Sequence, residues 1–197
     1  LHLCDYNLES IQTNNYNSSN AKHKLLAEVC MAAYYEGDLI KTHYTQHQRT
    51  NEDSASQLCT VLARSFADIG DIIRGKDLYS GNKGKKKKLD DSLKTIFTQI
   101  YNDVTSGKKN GEAAKERYKD TENYFQLRED WWTANRATVW KAITCKANDG
   151  DKYFRKTACA GKTPTEGYCR CNGDQPGHDK PNIDPPTYFD YVPQYLR

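Results

Sequence analysis

Seven cysteines, at positions 4, 30, 59, 145, 159, 169 and 171, are scattered through a polar chain of 197 residues. That number exceeds ordinary cytosolic usage, and the dispersed spacing favours structural disulfides formed in an oxidising compartment over a metal cluster. The sequence therefore reads as an extracellular module in which Cys4, Cys30, Cys59, Cys145, Cys159, Cys169 and Cys171 act as staples. An odd count leaves one thiol over, and six cysteines alone allow about 15 pairings, so the connectivity stays open. The leftover partner is expected to lie in flanking sequence.

Only 37% of residues are apolar and the mean hydropathy is −0.94. No apolar run approaches the roughly 18 residues of a membrane-spanning helix, and the chain does not open with a basic and then apolar leader. Three Trp, 14 Tyr and five Phe nevertheless supply large groups to bury, which excludes a fully disordered chain. The net charge of +3 is too small to impose nucleic-acid binding.

Apolar residues recurring at steps of three and four predict four helices. The first runs from Ser19 to about Gln48, with Leu25, Leu26, Val29, Cys30, Ala33, Leu39 and Ile40 on one face, Ser18 or Ser19 as the cap, and Gly37 as a weak point. The second, capped by Asp53 or Ser54, presents Leu58, Val61, Leu62, Phe66, Ile69, Ile72 and Ile73 and ends at Gly75. The third runs from Leu89 to Ser106. The fourth begins near Thr121, with 108–120 as a possible backward extension, and carries Trp131, Trp132 and Trp140 to Cys145. Trp131 and Trp140 lie far apart in azimuth, so this helix is buried on more than one side, and Arg128 and Arg136 are expected to pair with carboxylates inside a core that includes Phe66 and Ile69. After Lys146 the glycines and prolines crowd together, and Cys159, Cys169 and Cys171 must tie that tail to itself or to the helices. The fold class is all-α: a disulfide-stapled helical bundle with a long irregular Cys/Gly/Pro-rich tail.

Candidate chemistry is sparse. Lys83, Lys85, Lys86, Lys87 and Lys88 form a run expected to be an exposed loop between the second and third helices, and Lys108, Lys109 and Arg117 follow. From Lys83 to Lys119 there are eleven basic residues against five acidic ones, a surface able to attract an anionic glycan by salt-sensitive steering; the ordinary role of such a run is solubility. His43 and His47 have the i, i+4 spacing of a zinc protease but lack its Glu, and Cys169-x-Cys171 with His178 lacks ligand spacing, so neither predicts a metal or catalysis. No cofactor is implied. Asn17-Ser18-Ser19 matches a short glycan-acceptor motif.

Four blocks resemble, in order, those of the Duffy-binding-like domain, alpha class, of the malaria parasite's variant erythrocyte membrane protein family. They are Leu1-His2-Leu3-Cys4-Asp5, the stretch from Leu62 to Gly75, Arg128-Glu129-Asp130-Trp131-Trp132, and the ending from Asp190 to Arg197. The resemblance implies a Duffy-binding-like fold, with 1–18 as the end of a first subdomain, 19–145 as the helical bundle of the second, and 146–197 as a disulfide-tied region leading to a third that is absent. It further implies a non-enzymatic adhesion module, part of a membrane-anchored parent on the face of the infected red cell. Its partners would be host glycans or receptors, with heparan sulfate, blood-group sugars and complement receptor as family candidates, together with antibodies and neighbouring domains, in a setting of rosetting and antigenic variation. The alternative is a non-binding spacer or antigenic decoy. The lysine run and 146–187 are the stretches least like the family.

Overall fold

The computed structural model describes residues 8–50, 58–77, 83–107 and 110–197. Among them are five α-helices: α1 Ala21–Thr50, α2 Leu58–Arg74, α3 Lys83–Ser106, α4 Gly111–Arg117 and α5 Phe125–Ile143. Short 3-10 turns occupy Thr13–Asn15, Phe189–Tyr191 and Gln194–Leu196, and the described residues contain no strand, only isolated bridges in the tail. None of the helices is long and apolar enough to cross a membrane among the described residues.

α2 is the clearest product of pattern. Its apolar stripe faces the core, with Leu62, Phe66, Ile69 and Ile73 at 1% exposure or less and Val61 half-buried at its edge. It stops at Gly75, whose φ of +72° is the left-handed turn that glycine adopts without a Cβ penalty. There the Gly75 N–H donates to the Ile72 carbonyl and the Lys76 N–H to the Asp71 carbonyl, closing the carbonyl end. α1 is α-helical from Ala21, and the turn that leads into it is capped by Asn17 and not by Ser18 or Ser19: Asn17 Oδ1 accepts from the Ser19 and Asn20 N–H groups at 3.1 and 3.2 Å. The Asp53 and Ser54 cap lies outside the described residues.

α5 is the centre of the bundle. Trp132 and Trp140 hold Phe66 of α2 between them, each ring centroid 5.2 Å away, and Trp131 meets Phe97 of α3 edge-on. The three tryptophans are buried on different sides, as their azimuths require. α1 approaches through Gly37, where a Cβ would stand 2.0 Å from the Ile143 carbonyl oxygen, so the residue that weakens the helix locally is the one that lets two helices touch. Each large apolar side chain buried in this way contributes about 1.5–3 kcal/mol.

Two boundaries differ from expectation. α3 begins at Lys83, not Leu89, so the lysine run is the first two turns of a helix. Lysine is a good helix former, Gly84 costs only about 1 kcal/mol, and buried Leu89 anchors the turn to the core. Residues 110–120 do not extend α5 backwards. α4 is a separate short helix, and the Asp120 carboxylate ends the connection by accepting the N–H groups of Glu122, Asn123 and Phe125, bonds that hold its pKa below the usual range.

The tail is irregular but tied down. Cys169 is bonded to Cys59 of α2 and Cys171 to Cys159, so the two neighbouring cysteines face different partners. The expectation that every cysteine is a staple gives way here: Cys30 and Cys145 are free thiols, each half-buried on or just after a helix already fixed by packing. Cys4 lies outside the described residues.

Candidate functional site

The lysine run supplies two kinds of side chain. Lys85 reaches Glu9 at 3.4 Å, and Lys86 reaches Asp77 at 3.5 Å and also donates to the Asp77 carbonyl. Lys87 and Lys88 are exposed and line a shallow polar groove of about 440 Å³ with Thr13, Gly84, Asp91, Ser92 and Thr95. They sit near the amino end of α3, where the helix dipole adds positive potential and no acidic residue offsets it in the first turn. The side chain of Lys83 lies outside the described residues.

Of the eight candidate basic residues, Lys108 and Lys109 lie outside the described residues. Arg117 is committed elsewhere. It makes a bidentate pair with Asp130 at 2.6 and 2.8 Å, and Tyr118 donates to the same carboxylate. The Asp130 bond, then Tyr118, hold the Arg117 guanidinium yet more firmly protonated than usual, while Arg117 holds the Asp130 carboxyl low.

His43 is exposed, and the side chain of His47 lies outside the described residues. Among the described residues no three His, Cys, Asp or Glu side chains converge, and Cys169 and Cys171 have no thiolate to offer because both are in disulfides. Asn17 spends its Oδ1 on the α1 cap, with Ser19 Oγ at 2.7 Å.

Arg128 and Arg136 pair with carboxylates as their sequence leads one to expect, Arg128 with Asp90 and Arg136 with Asp190, a partner the sequence does not name and one that fixes the chain's end to the bundle. Asp190, in the turn Phe189–Tyr191, accepts from Arg136 Nε and from Trp132 Nε1, at 2.8 and 2.9 Å. Arg136 also lies over the rings of Phe66, Tyr188 and Tyr191. Next to it Arg197 pairs with Asp68 and Asp71, and Asp71 with Arg74. Burial pushes the Asp71 carboxyl up, against the pull of the two arginines. A second knot holds the tail: Arg170 donates to Thr144 Oγ1, the Lys141 carbonyl and Asp179.

This arrangement, with a tryptophan-centred α5 joined to the carboxy-terminal turn by a buried arginine–aspartate layer and a tail tied to α2 by a disulfide, can be set beside known proteins. The profile of the Duffy binding domain family matches residues 1–197. The chain belongs to the Duffy binding domain family. Of solved structures, the domain resembles the NTS-DBL1-alpha and CIDR-gamma double domain of PfEMP1 from Plasmodium falciparum varO strain, at 41% identity and a TM-score of 0.73 over 99% of this chain and 25% of that one. It also resembles the ICAM-1-binding DBLβ domain of the PfEMP1 IT4var13, at 31% identity and a TM-score of 0.63 over 96% of this chain and 38% of that one. A third is a DBLβ domain of PfEMP1 bound to human ICAM-1, at 30% identity and a TM-score of 0.59, covering 99% and 36%. The Duffy binding domain described here thus spans a quarter to under two fifths of these relatives, and its identity is higher to the alpha-class domain than to the two beta-class ones. No curated protein matches the chain.

Proposed function

We propose that this Duffy binding domain is a non-catalytic host-cell adhesion module, carried by a longer membrane-anchored parent on the outer face of the infected red cell. The observation that carries the reading is the DBLβ relative bound to human ICAM-1, which shares 30% identity across 99% of this chain. For this chain the proposed ligands are red-cell glycans of the heparan-sulfate or blood-group kind, or a protein receptor such as complement receptor. Antibodies and neighbouring domains of the parent are further partners. The stapled, tryptophan-packed scaffold supports it, because loops and helix ends on a rigid frame bind without a large ordering cost. Many copies on one cell then turn weak contacts into firm attachment.

Within the α3 lysine run, Lys87 and Lys88 are the open contacts, since Lys85 and Lys86 already face Glu9 and Asp77. The test is capture of red cells by the folded domain with heparin as competitor, comparing wild type with a variant charge-reversed at Lys85, Lys86, Lys87 and Lys88. Capture that is blocked by heparin and lost in the variant supports a glycan contact there. Capture unaffected by either removes the lysine run from the site.

A further inference from the structure

A disulfide decides which parts of a chain can be stretched. The bond from Cys59 to Cys169 closes a loop over the residues between them, and that loop holds α3, α4, α5 and all of α2 after its second residue. The shortest covalent route through the domain therefore runs along α1 to Cys59, crosses the bond to Cys169, and leaves through Arg170 and Cys171 to Arg197. The bond from Cys159 to Cys171 hangs on this route as a side ring. The α3 lysines and the three tryptophans all lie off it.

No cysteine follows Cys171, so residues 172–197 are held by non-covalent contacts alone. Those contacts are strung along the segment in chain order: Asp179 meets Arg170, Asp190 meets Arg136, and Arg197 meets Asp68. Tyr188, Tyr191, Tyr195 and Leu196 are exposed, so polar contacts rather than apolar burial fix the segment. α1 is fixed the other way, by Leu25, Val29, Ala33 and Ile40 buried in the common core. Segments with few buried apolar groups open at the lowest free energy. Pulled from Arg197, the contacts of 172–197 are also loaded one at a time, whereas α1 must leave as a whole packed face.

We propose that the domain yields to tension in a fixed order: residues 172–197 peel first as a strap, α1 follows, and the rest of the bundle stays unloaded behind the bond between Cys59 and Cys169. The proposal rests on the adhesion reading above for the source of the tension, since an adhesive domain in a longer parent is pulled through its chain ends; the order of yielding itself needs no ligand. The buried pair of Arg136 and Asp190, two charge-assisted hydrogen bonds in parallel, is the clasp of the strap. Fully extended, the strap spans about 90 Å at about 3.5 Å per residue. It lengthens the domain under load while the helices that carry the α3 lysines keep their arrangement.

The experiment is optical-trap pulling of the intact, oxidised domain without ligand, with one handle at Arg197 and the other on a click-reactive residue in place of exposed His23 near the start of α1. The expected record is a first step of no more than about 90 Å, then a second step, with a full extension of about 230 Å. Reductant should raise the full extension to about 610 Å, because the loop between Cys59 and Cys169 then opens. Asp190→Asn, which keeps the side chain's shape, should shorten the lifetime of the first step at fixed force about tenfold or more and leave the second step unchanged. Gly37→Ala, which parts α1 from α5, should act on the second step alone. A single cooperative rupture, a first step longer than about 90 Å, or a first step unchanged in Asp190→Asn overturns the proposal. So does an oxidised domain that extends to about 610 Å. Red-cell binding is measured separately on the same preparation, so its failure leaves the order of yielding standing, and failure of that order leaves the adhesion reading standing.

Discussion

Arg136 of α5 and Asp190 of the carboxy-terminal turn meet through two hydrogen bonds of 2.8 and 2.9 Å, and both side chains are buried. Trp132 Nε1 donates to the same carboxylate, so one residue near the end of the chain satisfies two otherwise unpaired donors in the middle of the bundle. Asp190→Ala leaves a guanidinium buried without its counter-charge, and should cost about 3–5 kcal/mol in chemical denaturation. A loss under about 1 kcal/mol would mean that solvent reaches Arg136 and that the layer is not closed.

The two disulfides should differ in worth. The bond from Cys59 to Cys169 spans 110 residues and that from Cys159 to Cys171 spans 12. Loop-closure entropy grows with length, so replacing the first pair by serine should cost about 4–5 kcal/mol and the second about 3 kcal/mol or less. Denaturant titration of the two double variants measures the order, and the reverse order would mean that strain or residual structure outweighs chain entropy.

The Cys30 thiol carries a pH signature. Burial pushes its pKa up to about 11, against about 8.5 for an unfolded cysteine. The unfolded thiol therefore loses its proton first, so its contribution to stability is whole below about pH 8.5 and is lost as pH rises toward 11. In the folded domain, alkylation at Cys30 should be slow at pH 8 and accelerate about tenfold per pH unit, followed by mass spectrometry of the Cys30 peptide. Failure of Cys30 to label even in unreduced denaturant would show that it is in a disulfide.

Gly37→Ala would normally strengthen a helix by about 1 kcal/mol. Here the added Cβ meets the Ile143 carbonyl oxygen, so α1 and α5 must part and the domain should lose stability by about 2 kcal/mol or more. Gly107→Ala, whose Cβ would meet nothing, is the control. Equal melting temperatures for the two variants would show that the helices separate at no cost.

How far the sequence was legible follows from how local each signal is. The stripe from Leu58 to Ile73 and its end at Gly75 are period and punctuation, and the structure places both there. The three tryptophans declare a helix buried on several sides by azimuth alone. Gly37 reads locally as a defect, because its reason is a backbone 106 residues away. The lysine run reads as a loop because five lysines and a glycine hide the period that Leu89 and Leu93 establish only later. Pairings such as Arg136 with Asp190, or Cys59 with Cys169, are long-range matches that no window contains.

The central claim is adhesion, and the direct measurement is binding of the folded, disulfide-intact domain to uninfected red cells, titrated by flow cytometry at low and raised salt. Adhesion through a basic surface predicts saturable binding that weakens steeply as ionic strength rises. A domain with a cooperative melt and no saturable binding at any ionic strength would contradict the account and leave this chain a spacer within its parent.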